Sequence, residues 1–355
     1  MPEGGTTGVS HASRFIDACW GKPHDAIPVW FMRQAGRYQA GYRQLREQYS
    51  FLEMAHSEDV ITEVTCRPVE ELGVDAAILF SDIMIPLGPM GIDFDIQEHK
   101  GPVIAQPIRS AKDLSRLHPL RPEEDLPEVF SSIERICARI DPIPLIGFAG
   151  APFTLASYII EGGPSKQYEN TKKMMWEQPA LWQDLMMRLA EGIVEHLSAQ
   201  IRHGVQAVQI FDSWIGTLSV NDYATFVLPV MQYIFAQLEK FQVPTIYFGT
   251  GTAALLPLMK QAGASVLGID WRVPLSQVRR QLGNDITLQG NLDPVALLSS
   301  WDVIADQATH ILTMMAHDPR YIFNLGHGVP PAANADDLKR LVQLVHEYPY
   351  QTYEA

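Results

Sequence analysis

Val266-Leu-Gly-Ile-Asp-Trp-Arg-Val-Pro-Leu-Ser-Gln-Val-Arg-Arg-Gln-Leu-Gly-Asn-Asp-Ile-Thr-Leu-Gln289 packs a strand, a turn, a helix and a second strand into very little chain. Val266 to Ile269 is a short apolar run ended by Asp270. Leu275, Val278 and Leu282 recur at helical spacing, and Ile286 to Gln289 opens the next run. A gap that just holds one brief helix fits parallel strands covered by helices.

The same alternation extends in both directions. Apolar strand-like segments lie at Ile27 to Met32, Asp75 to Phe80, Ile143 to Gly150, Ala207 to Phe211, Pro244 to Phe248, Val266 to Ile269, Ile286 to Gln289 and Tyr321 to Leu325. Between them run helical patterns at Ser57 to Leu72, Pro179 to His203, Tyr223 to Phe241, Ala253 to Ala262, Leu275 to Leu282 and Pro294 to Met315, with Asp336 to Tyr348 closing the chain. Eight such segments predict an α/β protein built as a (β/α)8 TIM-type barrel, one domain over residues 13–348. Residues 1–12 are expected to be disordered and 349–355 to form a tail. Longer gaps predict two excursions, a hairpin-like insertion at Gly101 to Ile108 and a loop at Gly162 to Lys166.

In such a barrel, chemistry gathers where strands end. The positions just past the predicted strands are Arg33, Asp82, Pro152 to Tyr158, Asp212 and Ser213, Gly249 to Thr252, Asp270, Asn291 and Asp293, and His327. The chain has 41 acidic against 27 basic side chains and a net charge of −14, a field that repels nucleic acid and anionic membrane surfaces. Yet Phe31-Met-Arg-Gln-Ala-Gly-Arg-Tyr-Gln-Ala-Gly-Tyr-Arg-Gln-Leu-Arg46 holds four arginines and no acid. Two glycines and a position straight after a strand favour an anion-binding loop over a solvated helix face, and the planar arginine fork suits carboxylate or phosphate.

Other features weigh less. Asp82, in Phe80-Ser-Asp-Ile-Met-Ile-Pro86, is a turn residue on the bland reading; facing a basic mouth, it is a carboxylate able to stabilise a cation. His327, between glycines after the last strand, is the histidine best placed for ligand contact. Gly249-x-Gly251-x-x-Ala254, followed by Asp270, imitates a dinucleotide fingerprint, but five strands precede it and Pro257 interrupts its helix. Cys19, Cys66 and Cys137 are spaced as core residues, no zinc spacing exists, and no apolar run reaches membrane-spanning length. A cytoplasmic setting is expected.

Together, Phe31-Met-Arg-Gln-Ala-Gly-Arg-Tyr38, Phe80-Ser-Asp-Ile83, Gly150-Ala-Pro-Phe-Thr-Leu155 with Tyr158-Ile-Ile-Glu-Gly-Gly163, Gln209-Ile-Phe-Asp-Ser213 and Asn324-Leu-Gly-His-Gly328 resemble the uroporphyrinogen decarboxylase family, in order, from about residue 13 to 347. The resemblance implies a homodimeric barrel of haem biosynthesis that needs no cofactor or metal and converts the four acetates of uroporphyrinogen III to methyl groups. It implies Asp82, Arg33 and Tyr158 as catalytic residues, with Gln34, Arg37, Arg46, Ser213 and His327 joining them in substrate contact. The general acid is open among Arg33, Tyr158, His327, a substrate carboxyl and a water held by Asp82. The family's Arg-Tyr-Leu-Pro-Glu-Tyr-Arg is here Arg37-Tyr-Gln-Ala-Gly-Tyr-Arg43, a departure expected to loosen the arginine loop. A barrel methyltransferase is the rival enzyme, and a non-catalytic tetrapyrrole carrier the rival of another class.

Overall fold

A computed structural model describes residues 14–97 and 101–350. The ends expected to be disordered or tail-like, residues 1–12 and 351–355, lie outside the described residues. Strands β1 (Ala77–Ile78), β4 (Leu145–Gly150), β5 (Ala207–Asp212), β6 (Thr245–Gly249), β7 (Val266–Gly268), β8 (Thr287–Gln289) and β9 (Tyr321–Ile322) form one parallel sheet in the order β1-β4-β5-β6-β7-β8-β9. Every residue of these strands is buried except Phe211, so they carry no polar face, as expected of a parallel sheet covered by helices. The inserted hairpin begins earlier than the expected Gly101 to Ile108: it pairs β2 (Phe94–Gln97) with β3 (Gly101–Ile104), so only its second strand lies in that stretch. It leans on the Gly162 loop through Ile104 N donating to Gly162 O at 2.9 Å.

The expected first strand, Ile27 to Met32, is not a regular strand. Val29 bridges Phe323 in parallel, Phe323 N donates to Pro28 O (2.9 Å), and Asp75 N donates to Val29 O (2.8 Å). This irregular stave joins β9 to the entry of β1, so the sheet curls shut as a (β/α)8 barrel. Its ladder fails for two local reasons. Pro28 has no N–H to give, and Val29 N is taken by the Asp75 carboxylate at 2.7 Å.

Helices cover the outside. Pro179–Arg202 turns Trp182, Leu185, Met186, Leu189, Ile193 and Leu197 inward at three- and four-residue intervals. Leu275–Leu282 forms with the predicted bounds. Two predicted helices divide. Tyr223 to Phe241 becomes Val220–Phe226 and Leu228–Leu238, because Pro229 tolerates only a helix start. Pro294 to Met315 becomes a 3-10 turn, Pro294–Leu298, and a helix, Trp301–Met315.

At the strand entries a charged latch joins both ends of the chain. Arg14 donates to Asp25 through Nε (2.7 Å) and Nη2 (2.6 Å), and through Nη1 to Asp75 (2.8 Å). His346, on the helix Ala335–Glu347, meets the other Asp75 oxygen at 2.7 Å.

Candidate active site

The arginine stretch divides in two. Residues 31–39 form a tight loop, whereas Arg43 and Arg46 stand on the helix Ala40–Gln48, correcting the expectation of an irregular loop throughout. The helix begins once Gln39 has closed the loop: its Oε1 accepts from Gly36 N (3.3 Å) and its Nε2 donates to Glu71 (3.0 Å). Arg43 Nη1 then ties down the carbonyls of Arg37 (2.9 Å) and Tyr38 (2.8 Å). At the departure Gln39 to Gly41, Gln39 supplies the loop with bonds of its own.

Gln34 is placed differently from expectation. Its side chain is buried, with Oε1 accepting from Phe31 N (3.1 Å) and Nε2 donating to Ala76 O (3.1 Å), while Tyr38 OH donates to its carbonyl (2.5 Å). With a bond at each end of the amide, Gln34 holds the loop together. Arg33 beside it is exposed and adopts a left-handed backbone, φ 58°. Its stem lies across Gly328: a Cβ there would sit 2.5 Å from Arg33 Cδ and 2.7 Å from Cγ. The loop is bonded to this last turn as well, by Met32 N to Asn324 Oδ1 (3.2 Å) and Val329 N to Met32 O (2.9 Å).

Asp82 is the turn residue of its plainer reading. Oδ1 accepts from Met84 N at 2.9 Å and forms the turn, while Oδ2 makes no hydrogen bond among the described residues. Burial raises its pKa above the ordinary aspartate value, opposed by the Met84 N–H and by Arg33. Tyr158, on the helix Pro152–Glu161, is pushed up to about 12 by burial and by Asp82. Its ring meets Trp214 edge-on at 5.7 Å, and Tyr168 packs on the same indole at 5.6 Å.

That wall is braced from below. Asp212 is buried, accepting from Thr154 Oγ1 (2.7 Å) and Tyr247 OH (2.9 Å), and Thr154 Oγ1 accepts in turn from Trp214 N (3.3 Å). Burial pushes Asp212 up to about 6 against those two donors. Ser213, half-buried, accepts at its carbonyl from Thr250 Oγ1 (2.6 Å).

His327 is half-buried, its ring 6.1 Å from Phe248. It is pushed down to about 4 by burial, then by Arg33 and Arg272, so it is a neutral imidazole near pH 7. Arg37 is exposed on the loop; Arg46 is partly buried and donates to Tyr49 O at 2.7 Å.

Two groups escaped the sequence reading. Tyr42 is buried edge-on to Phe80 at 5.9 Å, and burial raises its pKa while Arg46, Arg37 and Arg33 all pull it back and Asp82 pushes it further up. The three arginines and the carboxylate thus all lie near enough to Tyr42 to act on its phenol. The available signal was its place one helical turn before Arg46. The other is Arg272, beside His327. The dinucleotide-like loop also resolves: Gly251 N donates to Asp270 (2.5 Å), tying that carboxylate to the loop.

The family model described as Uroporphyrinogen decarboxylase (URO-D) matches residues 10–348. A relative named uroporphyrinogen decarboxylase from Bacillus pumilus (strain SAFR-032) is 48% identical over 334 residues, covering 94% of this chain and 95% of its own. One of the same name from Thermobifida fusca (strain YX) is 49% identical over 334 residues, covering 94% and 92%. Among solved structures, a methyltransferase from Methanosarcina mazei superposes with a TM-score of 0.78 at 18% identity, covering 96% of this chain and 99% of its own. At that identity it shows a shared barrel only, whereas the sequence relatives span nearly the whole chain. The chain belongs to the uroporphyrinogen decarboxylase family.

Proposed function

We propose that this chain is a carboxy-lyase that converts the four acetate side chains of uroporphyrinogen III to methyl groups, giving coproporphyrinogen III and four CO2. The observation that carries the reading is the pairing of a cationic loop with a half-buried carboxylate, Asp82, whose Oδ2 makes no hydrogen bond among the described residues. An octacarboxylate needs cations to hold it, and Arg33, Arg37 and Arg46 provide them. The acetate C–C bond can break only if its electron pair has a destination. A proton added to a pyrrole ring carbon makes the ring cationic. CO2 then departs as the pair flows into the ring, leaving an exocyclic methylene. A second proton makes the methyl group as the ring carbon gives up the first, so each acetate consumes one proton net. Asp82, facing the pyrrole N–H groups, stabilises the cation more than the neutral ring, which is where rate is gained.

Tyr158 walls the site and supplies a hydroxyl. Ser213 and neutral His327 are hydrogen-bonding partners for substrate, and Gln34 acts through the loop. The catalytic unit spans residues 13–348. A homodimer in the cytoplasm, with no cofactor, is the assembly and setting drawn from the family resemblance.

The test is anaerobic incubation of metal-stripped protein with chemically reduced uroporphyrin III, followed by oxidation and separation by carboxylate number. Stepwise seven-, six-, five- and four-carboxylate products are expected. Tight binding without loss of carboxylates identifies a carrier and overturns the reading.

Gly328 gives a finer prediction. Gly328→Ala places a methyl in the stem of Arg33, and displacing a positioned group by about 1 Å costs up to roughly a hundredfold. Steady-state kinetics should show kcat/KM down by about tenfold or more with an unchanged urea midpoint. An unaltered kcat/KM would mean Arg33 reaches substrate without this support.

A further inference from the structure

Arg33, Arg37 and Arg46 all stand on one side of the barrel, in the loop that follows the irregular stave and on the helix after it. A macrocycle ringed by carboxylates extends beyond that side. Three staves round the rim, past β9 and β8, stands Arg272, just beyond the end of β7. We propose that Arg272 is a further substrate-binding residue, one that grips a carboxylate the reaction leaves in place. This assignment rests on the decarboxylase reading above.

The geometry is that of a braced cation. Arg272 Nη1 donates to Asp270 Oδ2 at 2.5 Å and Arg272 N to Asp270 Oδ1 at 3.1 Å. Its guanidinium lies over the Trp271 ring, 3.9 Å from the centroid. Arginine is costly to order, and here the carboxylate and the indole have already restricted it. Asp270 does not cancel the charge toward the mouth. The aspartate side chain is 2% exposed and shared with Gly251 N, whereas that of Arg272 is 51% exposed. An approaching anion therefore meets the cation. Arg272 Nε and Nη2 make no hydrogen bond among the described residues, so part of the fork is open to a carboxylate.

Its position relative to His327 is also fixed. A Cβ at Gly326 would lie 2.4 Å from Trp271 N, so the turn before His327 presses directly on the segment carrying Arg272. The imidazole and the guanidinium thus share one part of the rim.

Chemistry selects which carboxylate is held. A cation gripping an acetate about to leave would stabilise the charged ground state and oppose its conversion to neutral CO2. A cation gripping a side chain that persists adds equal binding before and during reaction. Of eight carboxylates four remain, one per ring, so the same anchor serves whichever ring lies over Asp82.

The experiment compares wild type with Arg272→Gln and Arg272→Lys in steady state on reduced uroporphyrin III, with melting curves on each. Loss of uniform binding raises KM and leaves kcat alone. One charge-assisted bond predicts KM higher by roughly ten- to a hundredfold in Arg272→Gln. Arg272→Lys, which keeps the charge without the fork, should fall between, and added salt should raise the wild-type KM more than that of Arg272→Gln. An unchanged KM in folded Arg272→Gln overturns the assignment, as does a loss confined to kcat. If Arg272→Gln does not fold, Arg272→Lys decides alone, and a KM equal to wild type overturns it. Wild type that binds but does not decarboxylate overturns the functional reading and this assignment with it. Wild type that turns over beside an indifferent Arg272→Gln overturns this assignment only.

Discussion

Asp82→Asn should leave a folded protein that binds uroporphyrinogen III and turns it over about 10³-fold more slowly, a barrier increase of roughly 4 kcal/mol. The asparagine keeps the shape and can still accept from Met84 N, so the turn survives and only the charge is removed. Charge is what the reading requires. A pyrrole that has gained a proton needs an anion beside it, and Asp82 is half-buried in the mouth, where a bound macrocycle would exclude the water that screens that interaction. Single-turnover measurement with separation of products by carboxylate number checks it. Near-normal turnover would remove the argument that this carboxylate stabilises a cation. The same group predicts the acid limb of activity. Its pKa is raised above 3.8 by burial, so as pH falls the ionised form, and with it kcat/KM, should be lost above the ordinary aspartate value.

Asp75→Ala should cost about 3–5 kcal/mol of stability, read as a lower urea midpoint with an unchanged slope. The carboxylate is buried with three donors on it, Arg14 Nη1 at 2.8 Å, Val29 N at 2.7 Å and His346 Nε2 at 2.7 Å. Removing it strands the Val29 N–H inside the barrel seam and takes one carboxylate from a buried guanidinium that retains Asp25. The loss should far exceed that of an exposed pair such as Arg135 with Asp59, where solvent screens the charges. A midpoint shift worth less than about 1 kcal/mol would show that the seam is held by packing alone.

Much of this was legible in the sequence because it is local. Apolar runs of strand length between helical patterns mark parallel β-structure, and the helix Leu275–Leu282 could be bounded to the residue because Pro274 and Gly283 enclose it. Asp82, Tyr158, Ser213 and His327 follow strand ends and so were reachable from barrel geometry, while an uncompensated arginine run is conspicuous in an acidic chain. What could not be read depends on partners far away in the chain. The first stave reads as a strand, yet Asp75 captures its amide. Gln34 reads as part of an open binding loop, yet its amide is buried and bonded to Phe31 and Ala76. Tyr42 looks like helix body until Phe80 and three arginines surround it. Arg272 is the exception, since its partners Trp271 and Asp270 adjoin it in sequence and only their geometry was hidden.

The irregular stave also imposes an order of assembly. Its partners are Phe323 on one side and Asp75 on the other, and Asp75 is itself held by His346. Asp75 lies near the stave in sequence and can bond it early, whereas its other partner, Phe323, is nearly the whole chain away. Such closure carries the largest loop entropy in the molecule and comes late. The arginine loop hangs from that stave: Ala76 and Glu71 can hold one side of it early, but its bonds to Asn324 and Val329 exist only once the last strand is in place, so the mouth is completed by the closing of the barrel.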